Sequence, residues 1–345
     1  MRLRRLSILP LALVALAMGL AAPASRAQEK TSLTVYTGLE ADQLKAYKAA
    51  FEAANPSVEI RWVRDSNGVI IARLLAEKAA PKADVVMGVT ATSLMLMDQE
   101  GMLEPYAPAG LAQVKPALRD SRPQPTWVGM DVLSSALCVS KVEREKLGLA
   151  LPTRWTDLTD PAWKGRITMP NPASSGTGFL MVSAWLQMMG EEKGWAFMDA
   201  LDRNIASYSH SGSKPCKQAA TGEFAIGLSF EYRASKLIEQ GAPLELVLPA
   251  EGLGWDMEAV GIVKGTPKLA AARTLLDWAV TPEANALYAQ NFAIVARPEV
   301  QPKVPHIPAD LESRLVKQDF AWAAANRDRI LAEWSRRYDA KSEAK

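Results

Sequence analysis

Three short β-rich runs separated by helical ones constrain this chain's fold more than any other feature of its sequence. Ser32 to Thr37 (SLTVYT) is β-rich, and Glu40 to Ala54 carries Leu44, Tyr47, Ala50 and Phe51 at helical spacing until Asn55-Pro56 stops it. Val58 to Val63 (VEIRWV) alternates as a strand, Val69 to Ala79 is helical, Ala83 to Val89 (ADVVMGV) reads as a buried strand, and Ala91 to Glu100 is helical again. This βαβαβ order predicts a parallel sheet with helices on its faces. Such sheets take ligands beyond the carboxyl ends of their strands, here Tyr36 to Glu40, Arg64 to Asn67 and Gly88 to Thr92.

A proline-rich interval from Pro105 to Pro125 interrupts the rhythm, and a second α/β series follows. Val132 to Val139, Arg166 to Met169, Phe224 to Ser229, Leu244 to Leu248 and Met257 to Val263 read as strands. Gly176 to Met189, Glu191 to Asp202, Ser213 to Thr221, Leu269 to Val280 and Pro282 to Gln290 read as helices, and Ala309 to Tyr338 reads as one last long helical stretch. Two α/β lobes joined by crossing segments imply a cleft between them and closure about a hinge.

At the N-terminus a cluster of Arg2, Arg4 and Arg5 precedes the apolar run ILPLALVALAMGLAA, and Pro23 to Ala27 ends in a small residue. This predicts a cleavable secretory signal over residues 1–27; the apolar run is shorter than the roughly 20 residues of a membrane span. The signal carries four arginines and no acid, so the 40 basic residues of the chain fall to 36 against 38 acidic ones. The slight basicity belongs to the export signal, and no basic field for nucleic acid or polybasic run for a membrane surface remains. Cys138 and Cys216 are the only cysteines; an oxidising compartment permits a bridge, but spacing alone does not decide one. With His210 and His306 as the only histidines, no zinc-like spacing exists, and neither a metal nor another cofactor is expected.

One motif points to a ligand. Ser174-Ser175-Gly176-Thr177-Gly178 opens an apolar helix, where free backbone N–H groups and the positive end of the helix dipole suit an anion. Glycine lets an oxyanion approach the backbone and each hydroxyl adds a donor. The same residues would also serve as an N-cap and a flexible turn. The loop is neither a Walker A motif nor a dinucleotide fingerprint, since no Gly-Lys-Ser/Thr and no third glycine follow.

The order LTVYTGLE, ADVVMGVT, WTDLTDPAWKGRITMPNPASSGTG, ATGEFAIGLSFEY, GWDMEAVGIVKGT and TPEANALYAQ resembles the periplasmic solute-binding proteins of ATP-driven importers, over nearly the whole chain after the signal. Within the branch of ferric-ion and phosphorylated-solute binders it is most similar to the 2-aminoethylphosphonate-binding members. The resemblance implies an α/β fold of two lobes (type II), each a mixed sheet flanked by helices, with residues 28–128 and 255–300 in lobe 1 and 129–254 and 301–345 in lobe 2. It implies a monomeric periplasmic receptor that does no covalent chemistry and hands its cargo to an inner-membrane permease.

The family's anion loop falls on Ser175-Gly176-Thr177. The tyrosine pair that holds ferric ion in relatives reads Glu231-Tyr232 here, which argues against iron. A carboxylate opposite an anion cradle suits a zwitterion; the candidate acids are Glu40, Glu231, Asp256 and Glu258, with Glu231 placed first. The expected ligand set is Thr37, Glu40, Asn67, Thr90, Ser174, Ser175, Gly176, Thr177, Ser211, Ser213, Glu231, Tyr232, Trp255 and Asp256. Trp255 offers an indole face to a cation and equally suits a core or hinge. Other phosphorylated or amine solutes, ferric ion, and an exported phosphonate or phosphoester hydrolase stand as alternatives.

Overall fold

The computed structural model describes residues 30–344; the expected signal over residues 1–27 lies outside the described residues. The chain opens as anticipated: β1 (Thr31–Thr37), α1 (Ala41–Ala54), β2 (Val58–Arg64), α2 (Asn67–Ala76), β3 (Val85–Thr90), α3 (Ala91–Gln99) and a short β4 (Leu103–Glu104). β1 pairs in parallel with both β2 and β3, and all six residues of β3 are buried, as a central parallel strand covered on both faces requires.

The crossing is made by β5 (Val128–Ser140), whose 13 residues are all buried. After α4 (Lys141–Leu147) come β6 (Ile167–Pro170), α5 (Gly176–Met189), α6 (Glu191–Asp202), β7 (Ile205–Ser209), α7 (Lys214–Ala220), β8 (Ile226–Phe230), α8 (Glu231–Glu239) and β9 (Leu244–Val247). β10 (Trp255–Val263) returns to the first half, followed by α9 (Leu269–Ala279), α10 (Pro282–Tyr288), α11 (Phe320–Ala325) and α12 (Arg327–Tyr338). The strands run in the order β2-β1-β3-β10-β5-β8-β6-β7, with β4 beside β10 and β9 beside β5. Each half has a parallel core, and the antiparallel β10 and β5 join the two.

β5 changes partner part-way along. Val128 to Ser134 pair with β10, whereas Ser135 to Val139 pair with β8. The lobe boundary expected at residue 129 therefore falls inside a strand that both halves share. The C-terminal segment is shared too: α11 packs on α3 of the first half, while Trp334 of α12 meets Tyr208 of β7 edge-on at 4.8 Å.

The single helix expected over Ala309 to Tyr338 is broken. Leu315 to Gln318 run extended, because the Val316 N–H donates to Leu253 O and the Trp255 indole donates to Val316 O. Asp319 caps α11 through the Trp322 N–H, and Asn326 separates α11 from α12. The short β7 and α4 offer too few residues for an apolar period to announce them, and the amphipathic α8 was not anticipated.

Cys138 of β5 and Cys216 of α7 are bonded, with Cα atoms 5.2 Å apart and a sequence separation of 78. Both are fully buried, with Ala219, Ala234 and Leu244 around them. A cross-link of this span restricts the unfolded chain, so reduction should lower the free energy of unfolding by about 2–4 kcal/mol. Urea titration of oxidised and thiol-reduced protein checks this; midpoints that coincide would mean the bond adds no stability.

Candidate functional site

The strand ends of the two halves face one another across a cavity of about 60 Å³. Gly38, Glu40, Arg64, Ser66, Asn67, Gly88 and Thr90 line it from the first half, and Ser175, Gly176, Thr177, Ser211, Gly212 and Phe230 from the second. Leu133 of β5, Glu258 of β10 and Phe292 complete the wall.

The loop before α5 forms the donor end. Ser175 is the N-cap, its Oγ accepting from the Gly178 N–H at 3.3 Å. As the first residues of the helix, Gly176 and Thr177 have no intrahelical acceptor for their N–H groups, and both residues line the cavity. The loop thus caps the helix and also leaves two N–H groups without an intrahelical acceptor at the cavity wall. Across from it the Asn67 amide is held by two local bonds, donating to Ser93 Oγ at 3.0 Å and accepting from the Thr90 N–H at 2.9 Å. Gly212 lets its own turn lie on the loop, since a Cβ there would stand 2.4 Å from Thr177 Oγ1.

The two carboxyl groups that line the cavity differ in their partners. Glu40 accepts from Arg233 at 2.9 Å and lies 3.8 Å from Arg64, so its charge is already met by guanidinium groups. Glu258 is half-buried with no ion-pair partner among the described residues, and Oε2 receives no hydrogen bond. Burial, with Glu40 and Glu231 nearby, pushes its carboxyl up to about 8.

The cavity therefore gathers Glu40, Asn67, Thr90, Ser175, Gly176, Thr177 and Ser211 from the expected set, and seven others fall outside it. Thr37 is buried and its Oγ1 accepts from the Leu39 N–H. Ser174 sits on the seam between the halves, where its carbonyl accepts from Gly68. Ser213 is buried behind Ser211, with the two hydroxyls 3.2 Å apart.

Glu231, the first choice for an ammonium, is fully buried and accepts from the Ser134 N–H at 2.7 Å. Tyr232 packs against Phe230 and Phe292 under the Arg233 guanidinium, and burial beside Asp42 raises its phenol. Trp255 donates to Val316 O and meets Phe320 edge-on, which makes it part of the packing of the C-terminal segment. Asp256 accepts from Thr92 Oγ1 at 2.6 Å and from the N–H groups of Ala91 and Met257, fastening β10 to the start of α3; burial pushes it up to about 6. In place of these, the structure brings in Gly38, Arg64, Ser66, Gly88, Leu133, Gly212, Phe230, Glu258 and Phe292. Of these, Glu258 carried a signal in sequence as one acid of four, and Gly38, Arg64, Ser66 and Gly88 lie in the strand ends that the βαβ pattern marks for a ligand; Leu133, Gly212, Phe230 and Phe292 carried none.

The halves touch directly. The Gly68 N–H donates to Ser174 O at 2.9 Å, and Arg233 joins α8 to Glu40 and Asp42 of the first half. Two α/β halves closed over a small polar cavity define a receptor that encloses its solute.

The chain belongs to the bacterial extracellular solute-binding protein family, whose profile matches residues 80–322. It is a periplasmic substrate-binding protein of the kind that serves ABC importers. An uncharacterised protein of Haemophilus influenzae is 31% identical over 277 residues, 79% of each chain. The structure of the periplasmic binding protein AfuA from Actinobacillus pleuropneumoniae, with exogenous fructose-6-phosphate bound, superposes with a TM-score of 0.85 at 28% identity, over 90% of this chain and 99% of that one. A Salmonella typhimurium periplasmic protein provisionally named as 2-aminoethylphosphonate-binding is 23% identical over 319 residues, 90% of this chain and 89% of its own.

The seam between the halves yields a test of closure. A Cβ on Gly68 would lie 2.2 Å from Ala173 O and 2.8 Å from Ser174 Cα, both backbone atoms of the other half. Gly68→Ala should therefore weaken ligand binding at least about tenfold, the cost of roughly 1.4 kcal/mol against the closed state. The melting temperature without ligand should not fall, because the open form carries no clash. Unchanged affinity would mean that this seam does not govern closure.

Proposed function

We propose that this receptor captures a small aminated phosphonate, with 2-aminoethylphosphonate the foremost candidate, and delivers it as a monomer to the permease of its importer. The observation that carries the reading is one cavity lined both by hydroxyl and backbone N–H donors and by a carboxyl group without a cation, Glu258, which stands opposite Thr90 in the strand register. Phosphonate oxygens suit the donors of Ser175 to Thr177, Thr90 and Ser211, where hydrogen bonds to an ionised acceptor are the strong kind. Glu40 is already paired with Arg233 and Arg64, which leaves Glu258 for an ammonium.

Size supports the same ligand. At about 60 Å³ the cavity has room for only a few water-sized groups, each needing roughly 10–15 Å³. A phosphorylated hexose is much larger, although the likeness to AfuA with fructose-6-phosphate bound favours it as a second reading. Ligand contacts with both halves would supply the differential affinity that shifts the population toward the closed state.

Calorimetry on ligand-stripped protein tests the two readings against each other, with 2-aminoethylphosphonate, ethylphosphonate, fructose 6-phosphate and inorganic phosphate as titrants. 2-Aminoethylphosphonate should bind tightest, and fructose 6-phosphate binding in its place would overturn the assignment. Thr177→Val, which deletes one hydroxyl donor and keeps the shape, should cost about 1.5–3 kcal/mol with every phosphonate. An unaltered affinity would return the loop to a capping role alone.

A further inference from the structure

Beside the cavity lies a group of carboxyls that the ammonium alone does not account for. Asp131 of β5 stands directly opposite Glu258 of β10 in the antiparallel register, which sets the two side chains next to each other on one face of the sheet. Asp131 is fully buried, and neither of its oxygens receives a hydrogen bond from an N–H or hydroxyl group. One oxygen of Glu258 and one of Glu231 are unpartnered as well.

Among the described residues no lysine or arginine pairs with any of these three acids. The neighbouring guanidiniums, Arg64 and Arg233, are engaged by Glu40 and Asp42. The groups that face the pair are Glu40 and Tyr47 from α1 and its cap, Glu231 from α8, and Tyr288 from α10. All are acids or phenols, and burial holds both phenols neutral by raising them well above their ordinary value. Two neighbouring carboxyl groups, out of water and without a cation, do not both ionise; they hold a proton between them.

We propose that Asp131 and Glu258 form a proton-sharing pair that senses the ligand's amine, protonated in the empty cavity and giving up one proton to solvent when an ammonium takes its place. This rests on the aminated-phosphonate reading above. The exchange balances: Glu258 passes from acid to carboxylate, the ammonium keeps its three protons, and one proton leaves. Glu258 would touch the ligand, while Asp131 is a positioning residue that acts through it. A phosphonate without an amine brings no cation to the pair and leaves it protonated, so the device discriminates between ligands with the same anionic end.

The sign follows from the direction of the shift. An ammonium stabilises the carboxylate and lowers a carboxyl that stands at about 8 in the empty protein, so binding releases a proton and is favoured by rising pH. Affinity for 2-aminoethylphosphonate relative to ethylphosphonate should rise about tenfold per pH unit between roughly pH 6 and 7.5, and level off above about 8. Taking the ratio removes the titration common to both phosphonate groups. The ligand amine, near the usual value of about 10, stays charged throughout.

The experiment is calorimetry of both ligands at pH 7 in two buffers of different ionisation heat, which counts protons directly. Wild-type protein should release about one more proton with 2-aminoethylphosphonate than with ethylphosphonate. In Asp131→Asn the second acid of the pair is gone, while burial, the main cause of the raised Glu258 carboxyl, remains. That variant should release fewer extra protons than wild type and show a weaker pH dependence of the ratio. Glu258→Gln should bind the two ligands almost equally.

Equal proton counts for the two ligands in wild-type protein would overturn the proposal while leaving the phosphonate reading intact, as would an Asp131→Asn count unchanged from wild type. If Asp131→Asn does not fold, the wild-type comparison decides alone. If neither phosphonate binds while fructose 6-phosphate does, the ligand reading falls and the proton-sharing role falls with it.

Discussion

The site depends on β5, a single buried strand that hydrogen-bonds to one half of the molecule and then to the other. Its partner changes between Ser134 and Ser135, from β10 to β8, so the halves are joined by continuous main chain and not by a loose linker. A shared strand restricts the halves to bending about one region, and that keeps the cradle of α5 aimed at the strand ends of the first half. The same pairing sets Asp131 beside Glu258 next to the cavity. Strand register, chosen for burial and hydrogen bonding, thereby fixes which carboxyl lines the cavity.

Charge is distributed around the cavity with a clear division of labour. On the α5 side the lining is N–H groups and hydroxyls, donors of the kind that suit an oxyanion without placing a second full charge in a desolvated space. Arg64 lines the cavity but is drawn toward Glu40 and the Leu39 carbonyl, and Arg233 closes the halves from behind Glu40. Glu40 is thus a structural acid at the edge of the site, whereas Glu258 has no ion-pair partner among the described residues. Closure and recognition share parts: α2 carries both Asn67, which lines the cavity, and Gly68, which touches the other half.

Much of the fold was legible because its signals are local. The run from β1 to α3 declares itself by side-chain period, and the Asn55-Pro56 stop after α1 is a property of neighbouring residues. The anion loop was legible for the same reason, as glycine and hydroxyl residues crowd one helix start. The acid end was not. Glu231 looked the strongest acid since it replaces a tyrosine of related proteins, yet its carboxylate is taken by the Ser134 N–H, and Asp256 is taken by α3. The aromatic-acid pair Trp255-Asp256 was absorbed by packing in full, its indole held by the same extended segment that breaks the C-terminal helix.

From the sequence alone came the α/β class, the two-lobed reading, the solute-binding family and the glycine and hydroxyl loop that opens α5, since each is written in contiguous residues whose period or composition has a direct physical meaning. The tertiary structure decided which residues line the cavity: Glu258 and not Glu231, Gly212 beside Thr177, Phe292 and Leu133, and it set the disulfide between Cys138 and Cys216. Those choices join residues far apart in the chain. They depend on strand register and on how the halves close, which no local pattern encodes.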